Sequence, residues 1–413
     1  MSWKESSALE EKKKFIAAWN RQQETTTELC RQFEISRTTA YKYLARFEES
    51  GESGLQELSR APHDHPHAVT EETIGRIIEV RQQHPRWGPR KISVSLERRW
   101  PKMKRPATST IGELLKREGL VVPRRKRVRV PVYSAPLAHA NAPNRVWCAD
   151  FKGWFLCGDG TRCDPLTCSD GMSRFLLRCR AVPKTDGAEV RAKFDIMFRE
   201  YGLPDAIRTD NGPPFASKAP GGLTRLSMWW LRLGIQHERI APGHPEQNGR
   251  HERLHLTLKQ ETASPPRATL RQQQKAFIGF ERMYNQERPH EALDNRTPAE
   301  VYVNSERPYH AKLPELEYPA GAQLRWVSQQ GSVKWKSQRT FVSEVFAREA
   351  VGLIEVDQDY FEVYYGPLLV GWLDGSEQVF ERVAESFAGT GRAPGIPPAS
   401  ANLSRRRKGG QRS

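Results

Sequence analysis

The chain has 413 residues, of which 65 are Lys or Arg and 49 are Asp or Glu, so its formal net charge is +16. This length predicts two to four domains, and a hydrophobic content of 37% is enough to build their cores. The positive charge predicts a polyanionic partner. Because no apolar stretch approaches the roughly 18 residues of a membrane-spanning helix and no signal peptide is apparent, we expect a cytoplasmic protein with no membrane partner.

The first predicted domain, residues 1–60, consists of three helices over residues 10–19, 26–33 and 37–47. Ser36 is a suitable N-cap for the third helix. The short turn before it gives the last two helices the spacing of a helix-turn-helix, whose final helix enters a DNA major groove. Six side chains of that helix are the predicted DNA contacts: Arg37, Thr38, Thr39, Tyr41, Lys42 and Arg46. The same pattern also fits a small three-helix unit without a DNA partner.

A second helical DNA-binding domain is predicted over residues 68–122, with helices at 70–84, 90–100 and 106–119. Acidic residues in the first turn favour a helix start at its beginning. A basic linker, residues 123–143, follows and is expected to run along phosphates. Its clustered basic residues are further predicted DNA contacts: Arg124, Arg125, Lys126, Arg127 and Arg129.

Residues 144–306 change to an α/β pattern. Three strands, over 145–156, 162–168 and 174–182, are joined by short turns containing Gly and Asp. Helices and strands then alternate up to a helix that ends near residue 262. Three antiparallel strands followed by alternating helix and strand is the order of a ribonuclease-H-like fold.

Three acids in this region are the candidate catalytic and metal-binding residues. Asp150 ends the string WCAD, Asp210 begins the string DNG, and Glu252 ends the string NGRHE. Such hard carboxylate ligands suit Mg²⁺. Two such ions about 3.5–4 Å apart can stabilise the attacking and leaving oxygens of an in-line displacement at phosphorus.

Together these strings resemble insertion-sequence transposases of the retroviral-integrase superfamily. The resemblance is strongest over residues 144–302 and includes YNQERPHEAL, which starts at Tyr284, and TPAE, which starts at Thr297. It implies a catalytic core that uses two Mg²⁺ ions, for which Mn²⁺ substitutes. Asp150 would bridge both ions, while Asp210 and Glu252 would each hold one.

Two glutamates are candidates for the third metal ligand. The spacing common in relatives leads from Asp210 to Glu246, six residues before Glu252. However, Asn-Gly precedes Glu252 by three residues, as in the family, and the loop-like stretch 218–222 can accommodate an insertion. Positions six apart on a helix differ by about 240° in direction, so only one glutamate can serve. We assign Glu252.

Other polar residues in the core have more than one interpretation. Lys259 lies on the predicted helix face of Glu252 and either holds a DNA phosphate or is simply solvated. Asp170 is either a turn residue or a residue that orients the site. The six cysteines form no CxxC pair, which favours buried, reduced thiols over a zinc site or disulfides.

The C-terminal part is predicted to be a small β-barrel over residues 315–388, because short strands broken by Gly and Asp follow one another. The Pro-, Gly- and Arg-rich residues 389–413 are predicted to form a disordered basic tail. The fold class is therefore multidomain α/β, with helical DNA-binding units, a ribonuclease-H-like core and a barrel.

The resemblance implies a bacterial, nucleoid-associated enzyme that cleaves transposon ends and joins their 3′ ends to target DNA. Its partners would be double-stranded DNA and further copies of the chain. Two alternatives remain: a catalytically silent DNA-binding regulator derived from a transposase, and a nuclease acting on RNA–DNA hybrids. The first is disfavoured because clustered carboxylates repel without a cation. The second would not need the N-terminal helical units.

Overall fold

The computed structural model describes five stretches of the chain: residues 8–57, 69–121, 137, 139–241 and 249–383. They fall into two compact units, one within Met1–Thr70 and one within Glu71–Ser413. No helix among the described residues is long and apolar enough to cross a membrane. Some predictions lie outside this part of the chain, namely those for the tail and for Arg124, Arg125, Lys126, Arg127 and Arg129.

The N-terminal unit contains α1 (Ala8–Asn20), α2 (Thr26–Gln32) and α3 (Arg37–Ser50). The Ser36 hydroxyl accepts a hydrogen bond from the Thr39 backbone N–H at 3.1 Å, which caps α3 as predicted. Apolar side chains of the three helices and the following turn form one core: Phe15, Ile16, Leu29, Cys30, Ala40, Leu44 and Leu55. The predicted helix-turn-helix arrangement is confirmed.

The second unit begins with α4 (Glu71–Gln83), α5 (Pro89–Arg99) and α6 (Thr108–Arg117). Pro89 occupies the first turn of α5, where its missing N–H is not needed. Trp87 is buried between α4 and α5, with its ring stacked on that of His84 at 3.7 Å. These interactions fix the angle between the first two helices.

The core sheet has six strands: β1 (Val146–Phe151), β2 (Phe155–Leu156), β3 (Arg162–Asp170), β4 (Leu176–Val182), β5 (Ala206–Thr209) and β6 (Gln236–Arg239). β3 pairs antiparallel with β1, β2 and β4, while β5 pairs parallel with β1 and β6. The single strand predicted over 145–156 is interrupted, because Gly153 adopts a φ of 83° between β1 and β2.

Helices cover both faces of this sheet. α7 (Gly187–Tyr201) and α8 (Arg225–Arg232) share a core with one face, and α9 (Gly249–Thr262) and α10 (Leu270–Arg282) share another core with β3 and β4. α10 was not predicted from the sequence. Gln274 on this helix receives a hydrogen bond from the Ala181 backbone N–H of β4 at 2.8 Å.

The C-terminal part contains seven strands: β7 (Gln323–Trp326), β8 (Ser332–Trp335), β9 (Gln338–Phe341), β10 (Ala350–Asp357), β11 (Tyr360–Tyr365), β12 (Leu368–Asp374) and β13 (Val379–Arg382). Five form an antiparallel sheet in the order β13-β12-β11-β10-β7, and β8 pairs with β9. In the described residues this sheet stays open, since β7 and β13 are its two edges. The strand-rich domain predicted at this position is therefore present, and closure into a barrel is not shown among the described residues.

All six cysteines are buried and unpaired, as predicted. Burial raises the pKa of the Cys148 and Cys163 thiols to about 12. Neither thiol is therefore a nucleophile at neutral pH.

Candidate active site

Asp150 lies on β1, and Asp210 directly follows the neighbouring parallel strand β5. Cys148 on β1 pairs with Arg208 on β5, and each aspartate follows its strand residue by two positions. The carboxyl ends of parallel strands meet at one edge of a sheet, where open α/β folds place their ligands. The sheet therefore brings the first two predicted acids together.

Both aspartates are shielded from water. The Asp150 side chain is 15% exposed, and Asp210 is half-buried. Burial raises the pKa of the Asp210 carboxyl, although a hydrogen bond from the Gly212 backbone N–H acts in the opposite direction. A carboxylate that loses water in this way gains from a bound cation.

Thr167 ties α9 to the strand that carries Asp150. Thr167 lies opposite Asp150 in the pairing of β3 with β1, and its hydroxyl donates to the Asp150 carbonyl oxygen at 3.1 Å. The Thr167 hydroxyl oxygen is also 2.6 Å from Nε2 of His251 and 2.7 Å from Nε2 of His255. Since a hydroxyl has one proton and two lone pairs, all three contacts are satisfied when both imidazoles donate from Nε2.

His255 does not neutralise Asp150. Burial, aided by His251 and Lys152, lowers the pKa of His255 to about 2, so its ring is neutral at pH 7. With the proton on Nε2, its Nδ1 lone pair faces Asp150 Oδ2 across 3.9 Å. His255 therefore supplies no positive charge beside Asp150.

Glu252 lies on a different flank of α9 from these histidines. It follows His251 by one residue, which corresponds to about 100° around the helix, and its side chain is exposed. Lys259, also exposed, lies two turns further along the same flank. Within the described stretches, no group of three His, Cys, Asp or Glu side chains could hold a metal ion. The structure thus places the aspartates two residues beyond a paired position of β1 and β5 but does not bring Glu252 into a three-ligand cluster. Glu246 lies outside the described residues.

Three residues around Asp150 were missed in the sequence. Thr167, His251 and His255 were not assigned to the site, although the spacing of the histidines is informative. Residues four apart share one face of a helix. The positions of His251 and His255 in the helix of Glu252 therefore predict that both imidazoles contact the same neighbouring element.

Asp170 is a turn residue, which is one of the two interpretations given above. Its carboxylate accepts hydrogen bonds from the Asn144 backbone N–H at 2.7 Å and from the backbone N–H and hydroxyl of Ser173 at 2.7 and 2.6 Å. These bonds hold the turn between β3 and β4. Asp170 is therefore committed to the turn.

The two strings YNQERPHEAL and TPAE contribute contacts that stabilise the fold. Asn285 accepts from the Leu176 backbone N–H at 2.8 Å and donates to its carbonyl oxygen at 2.9 Å. Glu300 accepts from the Thr297 backbone N–H at 2.6 Å and from Arg98 of α5 at 2.9 Å. The first string therefore anchors β4, and the second attaches α5 to the core.

The predicted DNA contacts on α3 differ in how free they are. Thr38, Tyr41 and Lys42 are exposed, and Arg37 is exposed while bonding Thr27 at 3.0 Å. Thr39 bonds Ser36 at 2.8 Å, and Arg46 donates to the Gln56 carbonyl oxygen at 2.9 Å. These last two side chains serve the unit's own structure.

Family models match most of the chain. A model described as an integrase core domain matches residues 140–245, and a second one of that description matches residues 233–298. A helix-turn-helix domain matches residues 11–63, and a homeodomain-like domain matches residues 39–115. The integrase core models cover Asp150, Asp210 and Glu252.

Two curated relatives come from insertion elements. The chain is 30% identical to the insertion element IS476 uncharacterized 39.2 kDa protein of Xanthomonas euvesicatoria, over 60% of this chain and 71% of that protein. It is 31% identical to the insertion element IS407 uncharacterized 31.7 kDa protein of Burkholderia multivorans, over 58% of this chain and 83% of that protein.

Solved structures with similarity include retroviral integrases. The catalytic core domain of HTLV-2 integrase in complex with magnesium is 19% identical, with a TM-score of 0.32, over 39% of this chain and 98% of that chain. The simian T-cell lymphotropic virus intasome in complex with PP2A regulatory subunit B56 gamma is 16% identical, with a TM-score of 0.35, over 75% of this chain and 99% of that chain. At such scores, the family rests on the sequence matches.

Proposed function

Since the chain belongs to the insertion-element transposases that have helix-turn-helix domains and an integrase core domain, we propose that it cuts the ends of its element and joins their 3′ ends to target DNA. The supporting observation is that Asp150 and Asp210 each follow a paired residue of β1 and β5 by two positions, while α9 is bonded to β3 beside Asp150 through Thr167.

We assign Asp150, Asp210 and Glu252 as the residues that hold divalent cations, Mg²⁺ or Mn²⁺. When bound, these cations would neutralise charge at the phosphodiester and activate the attacking oxygen. The chain's own groups orient this set: Thr167 and the neutral His255 fix Asp150 relative to α9.

DNA is held by other parts of the chain in this proposal. The exposed face of α3, with Arg37, Thr38, Tyr41 and Lys42, contacts the element end. Lys259, on the flank of α9 that carries Glu252, holds a phosphate near the cut. A homo-oligomer holds both ends, so adding end DNA should raise the sedimentation coefficient of the protein beyond that of a one-to-one complex.

The test uses a labelled end fragment of the element with Mg²⁺. Asp150→Asn, Asp210→Asn and Glu252→Gln should each reduce cleavage by at least about a thousandfold, because metal assistance is worth several kcal/mol and about 1.4 kcal/mol is tenfold. Fragment binding should persist. Asp159→Asn, an equivalent change in the exposed turn between β2 and β3, is the control and should cleave normally.

Glu246→Gln resolves the choice of glutamate. If it stops cleavage while Glu252→Gln cuts normally, the assignment of Glu252 is wrong. A catalytically silent DNA-binding regulator is the second candidate, favoured by the lack of a three-ligand cluster within the described residues. That candidate gains support if the wild type binds its end fragment but neither cuts nor joins it with Mg²⁺ or Mn²⁺.

A further inference from the structure

A basic cavity of about 230 Å³ lies on the other flank of α9. Residues Arg250, Leu254 and Thr257 of α9 line it, and Glu252 lies about 200° around the helix from Arg250. The cavity is therefore separate from the acidic site. Its nitrogen-bearing side chains come from α5, the turn before β4, α9 and the segment after α10: Lys91, Arg174, Arg250, Arg253, Arg288 and His290.

The positive charges in this cavity are not balanced. Glu291 is the acid in its lining, and this side chain already pairs with Arg90 at 3.5 Å. Among the described residues, Lys91, Arg174 and Arg288 have no carboxylate within salt-bridge distance. Burial, and then the neighbouring Arg288, lowers the pKa of Lys91 to about 8. The free protein therefore holds like charges together at an energetic cost.

His290 adds an unsatisfied polar atom. Its Nε2 is buried and has no hydrogen-bond partner within the described part of the chain. Buried polar atoms usually have a partner, and an atom left without one beside several cations is suited to an anionic oxygen. The ring is held by an edge-on contact with Tyr284, with ring centres 4.9 Å apart.

We propose that this cavity binds a phosphate group, and that the group is a backbone phosphodiester of the element's end, several nucleotides from the bond that is cut. Arginine presents a planar set of donors that matches phosphate oxygens. The DNA source rests on the proposed function and on the position of Lys91 in α5, because a homeodomain-like model covers that helix. A phosphate held between Lys91 and Arg253 links this helical region to α9.

The position of the cavity fits this assignment. A helix with its side chains is about 10–12 Å wide, so a DNA strand that contacts Glu252 can present another phosphate to the opposite flank. Arg98 of α5 is already bonded to the Asn295 carbonyl oxygen at 3.2 Å and to Glu300. The walls of the cavity are thus fixed relative to each other before DNA arrives.

The first arm of the experiment measures thermal unfolding of the full chain with inorganic phosphate, against sodium chloride of equal ionic strength. Phosphate should raise the Tm of the wild type, because a ligand that binds the native state stabilises it. Arg288→Gln should lose this increase. Arg282→Gln, an exposed arginine of α10 outside the cavity, is the matched control and should keep it.

The second arm measures affinity for duplex DNA over a range of salt concentrations. Loss of one phosphate contact should reduce the slope of log K against log salt by about 0.9 in Arg288→Gln and Arg253→Gln, and not in Arg282→Gln. Arg288→Gln should fold at least as well as the wild type in chloride, since it removes one of several crowded charges.

Two results overturn the proposal. If phosphate stabilises the wild type no more than chloride does, the cavity is not a phosphate site. If phosphate stabilises the wild type but Arg288→Gln keeps the wild-type salt slope, the cavity takes a free phosphate compound and not DNA. Neither arm depends on cleavage, so Asp150→Asn should behave as the wild type in both, which separates this proposal from the proposed catalysis.

Discussion

The two flanks of α9 offer opposite chemistry within one helix width. On the side bonded to the sheet, the Thr167 hydroxyl donates to the Asp150 carbonyl oxygen and contacts Nε2 of the neutral His255. On the other side, Arg253 and Arg288 face a cavity that has few acids. In our two proposals, the side bonded to the sheet serves cation binding and chemistry, and the other side holds phosphate.

The largest predicted effect distinguishes a residue that acts in DNA cleavage from a residue that binds a DNA phosphate. With DNA saturating and enzyme in excess, Asp150→Asn should cleave at least about a thousandfold more slowly than the wild type. Arg253→Gln should cleave within a few-fold of the wild-type rate under these conditions, because saturation compensates for weaker binding. Single-turnover cleavage of a labelled end measures both. Equal losses in the two variants would show that the flanks do not have separate roles.

A smaller effect is expected at the hydroxyl that joins α9 to the sheet. Thr167→Val should reduce cleavage by about 10–100-fold, as is usual for residues that orient metal ligands, while end binding stays unchanged. Thr340→Val, at a buried threonine of β9, is the matched control. Wild-type activity in Thr167→Val would show that the Thr167 hydroxyl is not needed to orient Asp150 relative to α9.

The smallest effect concerns stability in acid. Burial lowers the pKa of His251 to about 4, below the value of about 6.5 expected in the unfolded chain. The unfolded chain thus binds more protons, so the stability from the neutral imidazole is present above pH 6.5 and is lost as the pH falls towards 4.

We therefore expect His251→Gln to reduce the pH dependence of the unfolding free energy between pH 6 and pH 5 by about 1 kcal/mol per pH unit. Urea unfolding at both pH values measures it. Arg253→Gln, on the other flank, should keep the wild-type dependence. An unchanged slope in His251→Gln would mean that this imidazole is not held neutral in the fold.

Local signals in the sequence predicted most elements. Ser36 was identified as the cap of α3 because capping depends on neighbouring residues alone. The interruption at Gly153 was missed because glycine also occurs within strands. Local signals predicted the short C-terminal strands but not their order in the sheet, because β7 pairs with β10, which lies far along the chain.

The site was predictable in part for the same reason. Asp150 and Asp210 each lie in a recognisable local string, and their alignment follows from parallel pairing of β1 with β5. The basic cavity has no such string, because Lys91, Arg174 and Arg288 are far apart in the chain and meet only in the fold. Arg288 belonged to a string that was noticed, but its partners could not be inferred.

Binding of Mn²⁺ to the free protein, followed by calorimetry, tests the central claim that Asp150 and Asp210 hold divalent cations. Asp150→Asn and Asp210→Asn should each weaken Mn²⁺ binding by at least about tenfold, while Asp159→Asn and Arg288→Gln should bind it as the wild type does. Unchanged Mn²⁺ affinity in both aspartate variants would contradict the claim.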